Sequence, residues 1–125
     1  MSLLLLTAVA VAGGVGAALR LVVDMLIRRR VGPDFPVSTL VINVTGSLLL
    51  GLLTGLSAGA LLPVAAATVL GSGFLGGYTT FSTASYETVR LLEERHFVAT
   101  AAYALGGLVL AVVAAGTGLL VGLSI

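Results

Sequence analysis

The chain has 125 residues, of which 58% are hydrophobic and 9% charged, and its mean hydropathy is +1.20. This composition excludes an ordinary soluble domain and indicates a protein that crosses a membrane several times. The six basic residues are all arginine, the acidic residues number five, and there is no cysteine. Disulfides, thiolate-bound metals and lysine Schiff bases are therefore excluded.

The hydropathy pattern predicts one all-α transmembrane domain over residues 1–125, with helices at about 3–27, 36–57, 62–92 and 97–123. A charged turn at 28–34 joins the first two helices, and another at 93–96 joins the last two. The long stretch from Phe35 to Tyr86 carries no charge. At ~1.5 Å of helical rise per residue it is more than twice as long as a ~30 Å hydrocarbon core, so it must cross twice.

Basic residues mark one side of the membrane. Five arginines fall at the first and third turns, and neither the two termini nor the second turn contributes any: Arg28, Arg29, Arg30, Arg90 and Arg95. The positive-inside rule then predicts that both termini lie outside the cytoplasm.

The second helix carries a polar seam of Thr39, Asn43, Ser47 and Thr54, at spacings that place them on one helical face. Asn43 is the most costly member because a carboxamide in hydrocarbon must find partners. It either hydrogen-bonds a neighbouring helix or donates to an anion. Arg20, near the end of the first helix, either reaches the headgroups or lies beneath the mouth of an anion path.

The third helix contains the most unusual segment, GGYTTFST at Gly76–Thr83. Its glycines, with Gly71 and Gly73 before them, predict a break near Gly76–Thr80. Main-chain carbonyls exposed by a break suit a hard cation, whereas hydroxyl and amide groups suit an anion. Hydroxyls are dense around the break: Thr79, Thr80, Ser82, Thr83 and Ser85.

Small residues recur at helix-contact spacing in several helices. The pairs and repeats are Gly14 with Ala18, Gly51 with Gly55 and Gly59, and Gly118 with Gly122. They serve either packing within the bundle or a contact between subunits. Four short spans can hardly enclose a pore alone, so a dimer is the smallest working unit expected.

Three motifs together resemble the CrcB/Fluc family of fluoride channels. They are GGVGAALR at Gly13–Arg20, NVTGS at Asn43–Ser47 and GGYTTFST at Gly76–Thr83. The resemblance extends over all four helices, and the third motif is the most specific. It implies a cell-membrane channel of bacterial or archaeal type that exports fluoride and lowers its cytoplasmic concentration.

The same resemblance implies an antiparallel dimer with a structural sodium ion at its centre, not transported, held by the main-chain carbonyls of Gly76 and Thr79. It also implies a fluoride path lined by Asn43, Phe81, Ser82 and Thr83. Thr39 of the polar seam completes the predicted path. Arg20, Thr80 and Tyr103 are further candidates.

One departure from the family pattern concerns Ala84. The family commonly has a second phenylalanine three residues after the one that matches Phe81, and each pore uses one ring from each subunit. A homodimer of this chain would lack one ring in both pores. Because the charge bias also disfavours insertion in both orientations, we expect pairing with a paralogous, oppositely oriented subunit rather than with itself.

Two other functions are compatible with a small helical membrane protein. A small four-helix multidrug transporter would need a carboxylate in the core of the first helix, and residues 3–19 contain none. A non-transporting assembly protein would explain the glycines but not the hydroxyls beside them. An enzyme is not expected, because the spans show no pairing of a base with a nucleophile and no set of metal ligands.

Overall fold

The computed structural model describes all 125 residues, Met1–Ile125, and every regular element is helical. Three helices are long and apolar enough to cross a membrane: α1, α2 and α6. The third predicted crossing is divided into shorter pieces. The elements are α1 (Leu3–Val31), α2 (Val37–Ala58), α3 (Val64–Thr68), a π-helical segment (Val69–Leu75), α4 (Gly76–Tyr78), α5 (Phe81–Glu93) and α6 (Phe97–Ser124).

The end of α1 lies about one turn beyond the predicted position near residue 27. Arg28, Arg29 and Arg30 form its last turn, where arginine is a good helix former and its charge suits the carbonyl end of the helix dipole. Gly32 then leaves the helix with φ of 82° while its N–H bonds the carbonyl of Arg28. The basic cluster is therefore part of the helix rather than of the turn.

The third crossing is interrupted at Thr79 and Thr80, the carboxyl end of the predicted break. Thr79 has ψ of 161° and Thr80 has φ of −148°, so both are extended. The glycines before them stay helical, and Gly71 and Gly73 lie within the π-helical segment. The glycines thus widen the helix, and the two threonines break it.

Glycines also set how closely the helices pack. A Cβ on Gly16 would overlap the carbonyl oxygen of Phe74, and one on Gly77 would overlap that of Gly13. Between α2 and α6 the same close approach involves Gly51 with Ala115. Such contacts join helices within this chain, which favours the packing explanation of the repeats over a subunit contact.

The first and third turns meet at one end of the bundle. Arg28 near the end of α1 lies 3.6 Å from Glu87 on α5. The structure therefore places the arginine-rich ends of α1 and α5 together, as consecutive antiparallel spans require. Few large side chains are fully enclosed, among them Ile42 and Leu75, because most of the apolar surface of such a bundle faces lipid.

Candidate ion pathway

A groove of about 660 Å³ lies along one side of the bundle and is bordered by α2, the π-helical segment, α5 and α6. Its apolar wall includes Leu40, Leu75 and Leu108. Its polar wall is formed by Asn43, Ser47, Thr79, Thr80, Ser85 and Thr88. The structure therefore brings Asn43 and Ser47 of the polar seam to one surface with the break of the third crossing, whereas Thr39 and Thr54 do not line this groove.

Asn43 supports the break directly. Its Nδ2 donates to the carbonyl of Thr80 at 2.8 Å, and its Oδ1 accepts from the N–H of Thr80 at 2.8 Å. The side chain thus satisfies both main-chain groups of a residue that has left the helix. Of the two roles left open by its sequence position, the bond to a neighbouring element is observed. The second N–H of its amide has no partner in this chain and could serve another acceptor.

The hydroxyls after the break form a short chain of hydrogen bonds. Thr80 caps α5 by accepting from the N–H of Thr83, and its own Oγ1 donates to the hydroxyl of Thr83 at 3.0 Å. Ser82 Oγ lies 3.3 Å from the same threonine oxygen. Neither Ser82 nor Thr83 lines the groove, in contrast to Thr80. These two predicted path residues therefore lie outside the groove and are linked to it through Thr80, and Ser82 is exposed.

Phe81 begins α5 and projects from it, with 88% of its surface exposed. It lines the groove together with Ala84, three residues further along the same helix. The ring is uncovered by any part of this chain. The small side chain of Ala84 leaves open space beside it.

The carbonyls of Gly76 and Thr79 belong to residues that both line the groove. The carbonyl of Thr79 receives no main-chain hydrogen bond, and its contact is a 3.5 Å donation from Nη1 of Arg20. A carbonyl freed in this way is the kind of oxygen that a hard cation binds. The carbonyl of Thr79 can therefore serve as one ligand of a hard cation, with Arg20 donating to the same oxygen. Arg20 thus points to the break, not to the headgroups.

At one end of the groove the path candidates Thr39 and Tyr103 meet a buried acid. Thr39 donates its hydroxyl to Oε1 of Glu87 at 2.6 Å, and Glu87 is only 2% exposed. Tyr103 is also buried, and its hydroxyl lies near Thr39 but has no hydrogen-bond partner. The buried side-chain atoms without partners are Glu87 Oε2, Tyr103 Oη and Arg90 Nε.

Glu87 is not among the path residues predicted from the sequence. Its position seven residues after Thr80, two turns along the same face, is the signal that links it to the path. The groove that it adjoins cannot remain open to lipid. Amide, hydroxyl and carbonyl groups in hydrocarbon require partners, so this surface must face protein, water or an ion.

The sequence model of the family described as CrcB-like protein, Camphor Resistance (CrcB), matches residues 7–119. The chain belongs to the CrcB family. Among the relatives of this CrcB chain is the fluoride-specific ion channel FluC 1 of Leifsonia xyli subsp. xyli. It is 52% identical over 122 residues, which cover 98% of this chain and 89% of the relative.

Two further relatives of the CrcB chain are similar at lower identity. FluC 2 of Mycobacterium tuberculosis is 47% identical over 103 residues, covering 82% of this chain and 79% of its own length. FluC of Nitrobacter winogradskyi is 47% identical over 106 residues, covering 84% of each. Both are described as fluoride-specific ion channels. The resemblance predicted from the three motifs is therefore confirmed, and the chain is a multi-pass membrane protein.

Proposed function

We propose that this chain forms a fluoride-selective channel that lets fluoride leave the cell. The observation that carries the proposal is the groove in which Asn43 holds the broken third crossing open beside hydroxyls and a phenyl ring. Relatives up to 52% identical are described as fluoride-specific ion channels, which supports the same ion here. A passive channel requires no base, nucleophile or redox group, so no enzymatic activity is proposed.

The chemistry of fluoride suits these groups. Fluoride is small and strongly hydrated, so a pore must replace its water donors closely. The remaining amide N–H of Asn43 supplies such a donor. The hydroxyl of Thr83 accepts from Thr80 and keeps its own O–H for an anion, and Ser82 lies beside Thr80. Phe81 adds the positive edge of its ring, which attracts an anion. A larger halide gains less from closely spaced donors and fits a narrow path poorly.

A sodium ion at the carbonyls of Gly76 and Thr79 is part of the proposal. When bound it supplies a fixed positive charge that lowers the cost of an anion in a low-dielectric path. The two carbonyls of one chain do not complete a coordination shell, so a second subunit must contribute ligands. Arg20, beside the carbonyl of Thr79, supplies a second positive charge near the same point.

The groove is proposed to be covered by a second, antiparallel subunit of this family. Its polar wall excludes lipid as the cover, and the ring of Phe81 is exposed for contact with a partner. A paralogue is favoured over a second copy of this chain. Ala84 leaves a space that a partner's aromatic ring would fill, and the arginines are concentrated at one end of the molecule.

Fluoride efflux from liposomes containing this purified chain is the first test. A fluoride electrode records efflux, and chloride efflux from parallel vesicles is the control. Fluoride efflux without chloride efflux would support a channel and contradict an obligate paralogue. If well-folded chain alone is silent, a co-purified CrcB paralogue should restore efflux. Silence of both together would contradict the proposed function.

A further inference from the structure

A charged cluster lies where α1, α2 and α5 meet, next to the end of the groove. Arg28 donates from Nε to Oδ1 of Asp24 at 2.8 Å, and its Nη2 lies 3.6 Å from Oε1 of Glu87. Ser38 on α2 donates its hydroxyl to the same oxygen of Asp24. One guanidinium thus joins a carboxylate of its own helix to a carboxylate of α5.

The two carboxylates differ in their access to solvent. The side chain of Asp24 is 31% exposed and that of Arg28 38%, whereas that of Glu87 is 3% exposed. Exposed charges are screened, but a buried carboxylate keeps its field and needs a partner. Arg28 is the only basic side chain within 4 Å of the Glu87 carboxylate. The charged side chains near Tyr103 are those of Glu87, Arg28 and Arg90.

The position of Glu87 makes its charge relevant to an anion path. Thr39 donates to it and Tyr103 lies beside it, and both residues belong to the predicted path. An unbalanced negative charge there would repel fluoride, since like charges at short range in a low-dielectric site interact strongly. Glu87 also has an oxygen without a partner, so the charge is not dispersed over further hydrogen bonds.

We propose that Arg28, oriented by Asp24 and Ser38, is a positioning residue for permeation that balances the buried charge of Glu87 beside the anion path. This inference rests on the proposed fluoride channel. Asp24 fixes the guanidinium through Nε and leaves Nη2 directed at Glu87. Because Asp24 is itself partly solvated, its own charge is screened and does not cancel the effect of Arg28 on the buried acid.

The test compares fluoride efflux from liposomes for the parent chain, Arg28→Met, Glu87→Gln and the double variant, each with the co-purified CrcB paralogue if the parent chain alone does not conduct. Arg28→Met should slow efflux about tenfold, because the buried carboxylate then faces the path unpaired. Adding Glu87→Gln should restore efflux to within about twofold of Glu87→Gln alone. If the arginine served only to tie α1 to α5, the double variant would be as slow as Arg28→Met, and the proposal would be wrong.

Arg29→Met is the matched control. It removes the same charge one residue away. Arg29 donates to the sulfur of Met25 and forms no salt bridge, so efflux should stay within about twofold of the parent chain. An equal loss in Arg29→Met would assign the effect to general surface charge. Arg28→Lys should retain most efflux, and Asp24→Asn should give a loss smaller than Arg28→Met. Parental efflux in Asp24→Asn would contradict the orienting role of Asp24.

Thermal unfolding in detergent separates this inference from the proposed function. If the parent chain and its paralogue conduct no fluoride, the channel proposal fails, and the charge balance is judged by melting temperature. Arg28→Met should melt below the parent chain, because it leaves a buried carboxylate unpaired. The double variant should recover most of the difference. Equal melting temperatures for Arg28→Met and the double variant would contradict the pairing.

Discussion

Asn43 is bound to both main-chain groups of Thr80 by bonds of 2.8 Å, so its substitution should affect the break itself. Asn43→Asp keeps an acceptor for the N–H of Thr80 but places a carboxylate oxygen against its carbonyl. We expect loss of fluoride efflux, or of fluoride protection in cells, with a destabilisation of about 1–3 kcal/mol. Efflux, expression level and thermal unfolding would be measured together.

Thr54→Val is the matched control for Asn43→Asp. Thr54 belongs to the same seam, but its hydroxyl donates to the carbonyl of Leu50 in its own helix. The variant should change stability by no more than about 0.5 kcal/mol and leave efflux intact. Parental efflux in Asn43→Asp at normal expression would remove Asn43 from the path and revive a purely structural explanation of the hydroxyls.

The sequence predicted several residues that line the groove, but not the bonds that they make. Asn43, Thr80 and Phe81 were selected because an amide, hydroxyls and a ring beside glycines are unusual in a membrane span. The pairing of Asn43 with the backbone of Thr80 joins residues far apart in the chain, and periodicity carries no information about such contacts. Glu87 was missed for the same reason, since its partners Thr39 and Arg28 lie on other helices.

At the scale of the elements, the small residues of α1 should differ sharply in their tolerance of a methyl group. A Cβ on Gly16 would overlap the carbonyl of Phe74, whereas one on Gly14 meets nothing within 4 Å. Gly16→Ala should therefore destabilise the protein by about 1–3 kcal/mol, because the backbones must separate. Gly14→Ala, the control, should melt at or slightly above the parent temperature. Equal effects of the two substitutions would contradict the packing of α1 on the π-helical segment.

The course of the third crossing could be predicted only in outline. Glycine clusters indicate a weak helix, and a break near Gly76–Thr80 followed from that. Whether the helix widens or breaks at a given residue depends on tertiary packing. The helix widens where α1 approaches the glycines closely. It breaks at Thr80, where Asn43 on α2 hydrogen-bonds the main-chain groups that have lost their helical partners. The starts of α2 and α3 could be predicted more closely from the sequence. Pro36 and Pro63 each directly precede a helix, and proline is compatible with a helix start.

At the scale of the whole molecule, the space beside Ala84 tests which partner covers the groove. If a paralogue normally supplies a ring there, Ala84→Phe should let the chain conduct fluoride without it. We expect faster efflux from liposomes with Ala84→Phe alone than with the parent chain alone. The gain should vanish when Asn43→Asp is added.

Ala101→Phe is the control for the added ring, because Ala101 is exposed on α6 and does not line the groove. It should leave efflux at the parental level. Equal efflux from the parent chain and Ala84→Phe, at a high rate, would show that two identical copies already form a working pore. The paralogue proposal would then be wrong, while the channel proposal would be strengthened.

The distribution of arginines predicts a fixed orientation in the membrane. Arg28 and Glu87 are in contact, so the basic turns lie together at one end, and the positive-inside rule directs that end to the cytoplasm.

The chain has no cysteine, which allows single-cysteine labelling with a membrane-impermeant reagent. Ser2→Cys should react only from outside intact cells, and Arg29→Cys only after the membrane is opened. Arg29→Cys removes one of the five arginines on which the predicted orientation rests. Ser2→Cys keeps all five, so its labelling reports the orientation of the unaltered charge distribution. Labelling of Ser2→Cys from both sides would demonstrate dual insertion, and a second copy of this chain could then serve as the antiparallel partner.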